Sequence, residues 1–190
     1  MDNNLIRIRK FSVVILVLLL SIILAACSVA EGEQKTPLEK NEVPTAEEPI
    51  PAPDFLLKNA IDEERSLENY SEKTLVISFW TTWCPACKYE LAEMQKLHEL
   101  TIEKEMNIAV LGVNVLADQR EKSKEGVLAE IEARGYTFEN IFDEDGGMSI
   151  DYYVRAFPST YIVNPEGELY TYWVGALDLE STLKILKEME

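Results

Sequence analysis

Trp83-Cys84-Pro85-Ala86-Cys87 follows the apolar run Leu75-Val76-Ile77-Ser78-Phe79-Trp80 and precedes a helical pattern over Lys88 to Leu100. A nearly continuous apolar run of this length reads as a strand buried on both faces. After the cysteines, Leu91, Met94 and Leu97 recur at helical spacing, with Ala92 and Leu100 near them. The two cysteines therefore fall at a strand-to-helix turn, at the start of the helix. A helix start carries unpaired N–H groups and a partial positive charge, which favour an anion. A thiolate is such an anion, so Cys84 is expected to have a lowered pKa and to be nucleophilic near neutral pH. Pro85 lacks an N–H and suits the first helical position. Cys87 lies one turn along, close enough to close a short disulfide with Cys84. The pattern fits a dithiol that cycles between reduced and oxidised forms.

Two other readings of the pair are weaker. A zinc site needs about four ligands. The chain has three cysteines and one histidine, His98, and Cys27 has a different expected fate, given below. No metal is expected. A static disulfide across two intervening residues closes a short loop and gains little chain entropy.

At 190 residues the chain has room for one domain with additions. Its formal net charge of −16 repels nucleic acid, and no basic patch offsets that. Near the N-terminus, Arg7, Arg9 and Lys10 precede an apolar segment from Phe11 to Ala26 that only Ser12 and Ser21 interrupt. A charged start, an apolar centre and small residues at the end make a signal peptide, expected over 1–26. Leu24-Ala25-Ala26-Cys27 resembles the lipobox of bacterial lipoproteins, which implies cleavage before Cys27 and lipid modification of its thiol. Several acyl chains would then hold the protein at the extracytoplasmic face of the cell membrane. Residues 27–52 are rich in Glu, Pro, Lys and Thr and lack aromatics. They cannot bury enough apolar area to fold and are expected to form an acidic tether. The folded domain is expected over 53–190.

Within it, the patterning predicts strands at Asp54–Leu57, Leu75–Trp80, Ile108–Val115, Asn140–Phe142, Thr160–Val163 and Leu169–Val174. Helices are expected after Ser66, after Cys87, over Asp118–Arg134, Met148–Val154 and Leu179–Met189. Glu63-Glu64-Arg65 reads as a polar turn, and Asp143-Glu144-Asp145-Gly146-Gly147 as a plain loop. Strands alternating with helices, then a terminal hairpin around Asn164-Pro165-Glu166-Gly167, imply an α/β fold with a mixed sheet flanked by helices on both faces.

From about Pro53 to Met189 the chain resembles the thioredoxin superfamily. Phe79-Trp80-Thr81-Thr82-Trp83-Cys84-Pro85-Ala86-Cys87-Lys88 is similar to its active-site segment. Phe157-Pro158-Ser159-Thr160 is similar to its cis-proline loop, and Val174-Gly175-Ala176-Leu177 to the segment after its last strand. The closest group is the membrane-anchored, extracytoplasmic one (ResA/TlpA-like), whose reductases serve cytochrome c maturation. The resemblance implies a thioredoxin-like fold, a thiol–disulfide oxidoreductase activity and no cofactor. It assigns catalysis to Cys84 and Cys87 and places Pro158 against them, with Trp83, Pro85 and Phe157 facing substrate. Its implied partners are exported proteins with disulfides and a membrane electron donor of thiol–disulfide type. A tethered, acidic domain is expected to be a monomer.

Cytoplasmic thioredoxin has a buried Asp where this chain has Ser78, while the anchored group tends to carry a Glu three residues after its second cysteine. Glu90 occupies that position. Residues i and i+3 share a helix face, so Glu90 is expected to modulate the cysteines and accept the Cys87 proton; an exposed surface glutamate is the alternative. Pro85-Ala86 differs from thioredoxin's usual Gly-Pro, so the family's redox potential does not carry over. Trp80 is expected to pack beneath the site and His98 to have no catalytic task.

Three functions compete. The first is a reductase of exported disulfides, and the second an oxidase of the same fold that inserts them. The third is a thiol peroxidase, whose motif Thr81-Thr82-Trp83-Cys84 matches in part, but the proline that those enzymes need four residues before the threonine is Ile77 here. A lipoprotein that used the fold only for binding would leave two cysteines unexplained.

Overall fold

The apolar run around Ile77 becomes the centre of a seven-stranded mixed sheet in the computed structural model, which describes residues 49–189. The elements in chain order are β1 (Leu56–Asn59), β2 (Glu64–Ser66), a 3-10 turn (Leu67–Tyr70), β3 (Thr74–Trp80), α1 (Pro85–Glu103) and β4 (Ile108–Asn114). They continue with α2 (Lys124–Arg134), β5 (Glu139–Phe142), α3 (Gly147–Asp151), β6 (Ser159–Val163), β7 (Leu169–Val174) and α4 (Leu179–Glu188). The sheet order is β2-β1-β5-β4-β3-β6-β7. β3, β4 and β5 run parallel, while β1, β2, β6 and β7 pair antiparallel.

Successive side chains of β3 point to opposite faces of the sheet, and both faces are covered, so they enter two separate cores. Leu75, Ile77 and Phe79 pack with Tyr152, Tyr161 and Met148 on one face. Val76 and Trp80 pack on the other with Leu91 and Leu97 of α1, Val127 of α2 and Leu186 of α4. Ser78 shares that second face and is buried. The fold is thioredoxin-like, as the motif order implies.

Several boundaries differ from the sequence reading. Glu64–Ser66 is a strand, not a turn, because it pairs with β1 in the register Leu57↔Arg65. Helix α2 starts only at Lys124, capped by the Ser123 hydroxyl. Before it, Asp118 and Glu121 bind nearby backbone N–H groups, of Arg120 at 2.9 Å and Lys122 at 2.6 Å. Such local side-chain bonds compete with helix formation. Asp143 is not a plain loop residue: it is buried and caps α3, accepting the N–H groups of Met148 and Ser149.

Ile50–Ala52, placed in the tether by composition, pairs with the start of β7. The Leu169 N–H donates to the Ile50 carbonyl at 2.8 Å, and the Ala52 N–H to that of Gly167 at 2.9 Å. The expected signal peptide, Cys27 and most of the tether lie outside the described residues. Among the described residues no helix is long and apolar enough to cross a membrane.

Candidate active site

Cys84 is the N-cap of α1, and Pro85 is the first helical residue. The Cys84 backbone is extended, so its side chain turns back over the helix start. There Sγ accepts the Cys87 N–H at 3.1 Å, one of the donors that every helix start leaves open. Cys84 and Cys87 are joined in a disulfide, with Cα atoms 5.3 Å apart. Cys84 is 4 % exposed and Cys87 fully buried. An incoming sulfur therefore reaches Cys84 first.

The Phe157–Pro158 bond is cis. The Phe157 carbonyl oxygen lies 3.5 Å from Cys84 Sγ. The Phe157 ring is half-buried and meets Trp83 edge-on at 6.1 Å between centroids. Pro85 is exposed beside them. Gly175, at φ 101°, donates its N–H to the Pro158 carbonyl at 2.9 Å. That left-handed backbone suits a residue without a Cβ. Trp80 lies beneath the site, 1 % exposed, and its indole N–H donates to Asn140 Oδ1 at 3.1 Å.

Glu90 is fully buried, not exposed. Its carboxylate accepts three donors from separate elements. These are the Ser78 hydroxyl at 2.5 Å, the Thr160 hydroxyl at 2.9 Å and the Leu177 N–H at 2.8 Å. Burial pushes its pKa up, and these hydrogen bonds only partly offset the shift. The serine that replaces thioredoxin's buried aspartate is thus a donor to a carboxylate supplied by α1. His98 is half-buried near Phe138, away from the cysteines, and burial lowers its pKa.

The sequence reading missed the contribution of the loop between β4 and α2. Glu121 accepts the Thr82 N–H at 2.6 Å and the Thr82 hydroxyl, and also takes Asn114 Nδ2 at 3.0 Å. It ties the loop to the turn that carries Cys84. Arg120 lies over the Trp83 ring, with Cζ 3.4 Å from the centroid, and pairs with Asp118 at 3.3 Å. Periodicity carries no signal for such a loop, because its contacts are set by single side chains.

Comparisons with known proteins agree with this geometry. Residues 50–171 match the model of the AhpC/TSA family. The chain is 27 % identical over 173 residues to sporulation thiol-disulfide oxidoreductase A of Bacillus subtilis, which covers 91 % of this chain and 94 % of that relative. It is 30 % identical over 139 residues to the thiol-disulfide oxidoreductase ResA of Geobacillus kaustophilus, covering 72 % and 76 %. The crystal structure of the pneumococcal exposed lipoprotein thioredoxin of Streptococcus pneumoniae superposes with a TM-score of 0.63 at 25 % identity. That match covers 72 % of this chain and 99 % of the other.

Proposed function

This chain belongs to the AhpC/TSA family, with a thioredoxin-like fold and the dithiol of a thiol–disulfide oxidoreductase, and we propose that it acts outside the cytoplasm to reduce disulfides of exported proteins. The observation that carries the reading is the placement of Cys84. Its sulfur caps α1, faces the carbonyl before the cis-proline, and forms a disulfide with a cysteine that is itself buried.

In the reduced enzyme the Cys84 thiolate attacks one sulfur of a substrate disulfide. A Cys84–substrate disulfide forms, and the other substrate sulfur leaves as a thiolate that takes a proton. Cys87 then loses its proton and attacks Cys84 Sγ. This forms the Cys84–Cys87 disulfide and releases the second substrate thiol. Two electrons pass from the enzyme dithiol to the substrate. A dithiol carrier at the membrane returns them by the same exchange in reverse. Glu90, on the helix face one turn after Cys87, is the buried group suited to hold the Cys87 proton. Its raised pKa, the result of burial, makes it a better acceptor than an ordinary carboxylate. Phe157 and Pro158 present backbone to an extended substrate, while Trp83 and Pro85 form its other contacts.

A lipid on Cys27 and a tether of about 25 residues would hold this domain near the membrane while leaving it room to reach partners. The lipoprotein nature of the pneumococcal relative supports that placement.

Against the peroxidase reading, Ile77 is fully buried in β3 and paired on both sides, to Leu111 of β4 and Tyr161 of β6. A proline there would remove a ladder hydrogen bond from a central strand.

Incubating the reduced Cys87→Ser protein with a disulfide-bonded substrate tests the reading. A mixed disulfide through Cys84 should accumulate, and Cys84→Ser should form none and reduce nothing. Retained activity in Cys84→Ser would refute the mechanism, and faster oxidation by hydrogen peroxide than by protein disulfides would favour the peroxidase.

A further inference from the structure

Beside Cys84, a cleft of about 490 Å³ lies between the β4–α2 loop and the loop that leads into Pro158. Trp83 and Phe157 line it, and so do two cations, Arg120 and Arg155, one from each loop. Asp118 is the carboxylate on its wall, already paired with Arg120. Arg155 is exposed and forms no ion pair among the described residues. The lining holds two cations against one carboxylate, on a chain whose net charge is −16. The carboxylates next to it are engaged elsewhere, Glu121 with Thr82 and Asn114, and Asp143 with Met148 and Ser149.

We propose that this cleft is a specificity subsite that accepts a carboxylate close to the reacting cysteine of the disulfide substrate. The inference rests on the reductase reading above. Arg120 is already fixed, stacked on Trp83 and held by Asp118, while Glu121 ties the same loop to Thr82. Its guanidinium therefore needs little further ordering to receive an anion. Arg155 completes the pair from across the cleft. Trp83 directly precedes Cys84 and the Phe157 carbonyl lies 3.5 Å from Cys84 Sγ, so a side chain held here belongs to a residue adjoining the substrate cysteine.

The surrounding acidity limits which partner fits. The negative field repels a partner that is acidic throughout. Within a Debye length of about 8 Å at physiological ionic strength, however, nearby charges dominate. The subsite therefore selects a local carboxylate on a partner that is not acidic overall. Charge pairing of this kind sets specificity more than raw affinity.

Disulfide-linked dimers of short peptides with Asp, Asn or Lys next to cysteine, reduced by the full chain in detergent with dithiothreitol as electron source, test the inference. The expected kcat/KM for the Asp peptide exceeds that for the Asn peptide by about threefold to tenfold, and the Lys peptide is slowest. Arg155→Gln should bring the Asp-to-Asn ratio close to one, Arg155→Glu should invert the order towards Lys, and 1 M salt should shrink the wild-type preference. Equal rates for the three peptides, or a preference that survives in both variants, would overturn the subsite and leave the reductase reading standing. Failure to reduce any of the peptides would remove that reading and the subsite with it. Unfolding midpoints of the variants confirm that each ratio is read on folded protein.

Discussion

Glu90 in α1 accepts the backbone N–H of Leu177 at 2.8 Å, across 87 residues of sequence. One buried carboxylate thus joins the helix that carries Cys87 to the segment that follows β7. Burial pushes its pKa above the ordinary carboxylate value, so the folded protein keeps this proton to higher pH than the unfolded chain does.

The sign of the pH effect follows. The stability linked to this proton is complete below the unfolded pKa of about 4.3 and is lost as pH rises through the raised folded value. Glu90→Gln keeps the size and removes the titration. Relative to Glu90→Gln, the wild-type unfolding midpoint should decline as pH rises above the unfolded pKa of about 4.3. Parallel curves would show that Glu90 does not titrate as its burial implies.

Removing the Glu121 carboxylate leaves the buried Thr82 N–H and hydroxyl without their acceptor. A buried donor that loses its partner costs about 1–3 kcal/mol. Glu121→Ala should therefore lower stability by about that much in urea unfolding. It should also slow disulfide exchange, because the turn that carries Cys84 loses its tie to the β4–α2 loop. A loss within about 0.5 kcal/mol, the usual range for a plain surface change, would contradict the role.

At Gly112 on β4, an added Cβ would fall on Asn140 Oδ1 and lie 3.1 Å from the Phe138 ring. Asn140 Oδ1 is the acceptor for the Trp80 indole. Gly112→Ala should cost about 1–3 kcal/mol, as overpacking in a close-packed core does. It should also shift Trp80 fluorescence, and an unchanged spectrum and midpoint would count against this packing.

After reduction, the two cysteines should differ in reactivity. Cys84 sits at the surface end of α1 and Cys87 is fully buried behind it. Brief treatment of the native protein with iodoacetamide should alkylate Cys84 and spare Cys87, as read by peptide mass spectrometry. Equal labelling would mean that the attacking sulfur is not selected by position.

Much of this site is legible in the sequence because it is local. Cys84 and Cys87 lie in one helical turn, and the apolar run around Ile77 announces the central strand. Phe157-Pro158 and Glu90 are recognisable from the motif resemblance. What the sequence hides depends on contacts between distant residues. Nothing near Ser78 announces that it will donate to Glu90, and the charged stretch after Asp118 reads as helix until Glu121 is seen bonding to Thr82. Arg120 and Arg155 look like ordinary surface cations, and only the fold brings them to one cleft. Ile50–Ala52 has the composition of a tether, yet it pairs with residues at the start of β7, more than a hundred positions away.

The reduction potential of the Cys84–Cys87 pair tests the central claim most directly. It can be measured on a fragment beginning at Pro49, equilibrated in glutathione or dithiothreitol buffers. A reductase supplied with electrons at the membrane should give a value below about −240 mV. A value of about −120 to −180 mV would mark an oxidant that inserts disulfides and would contradict the proposed direction of exchange.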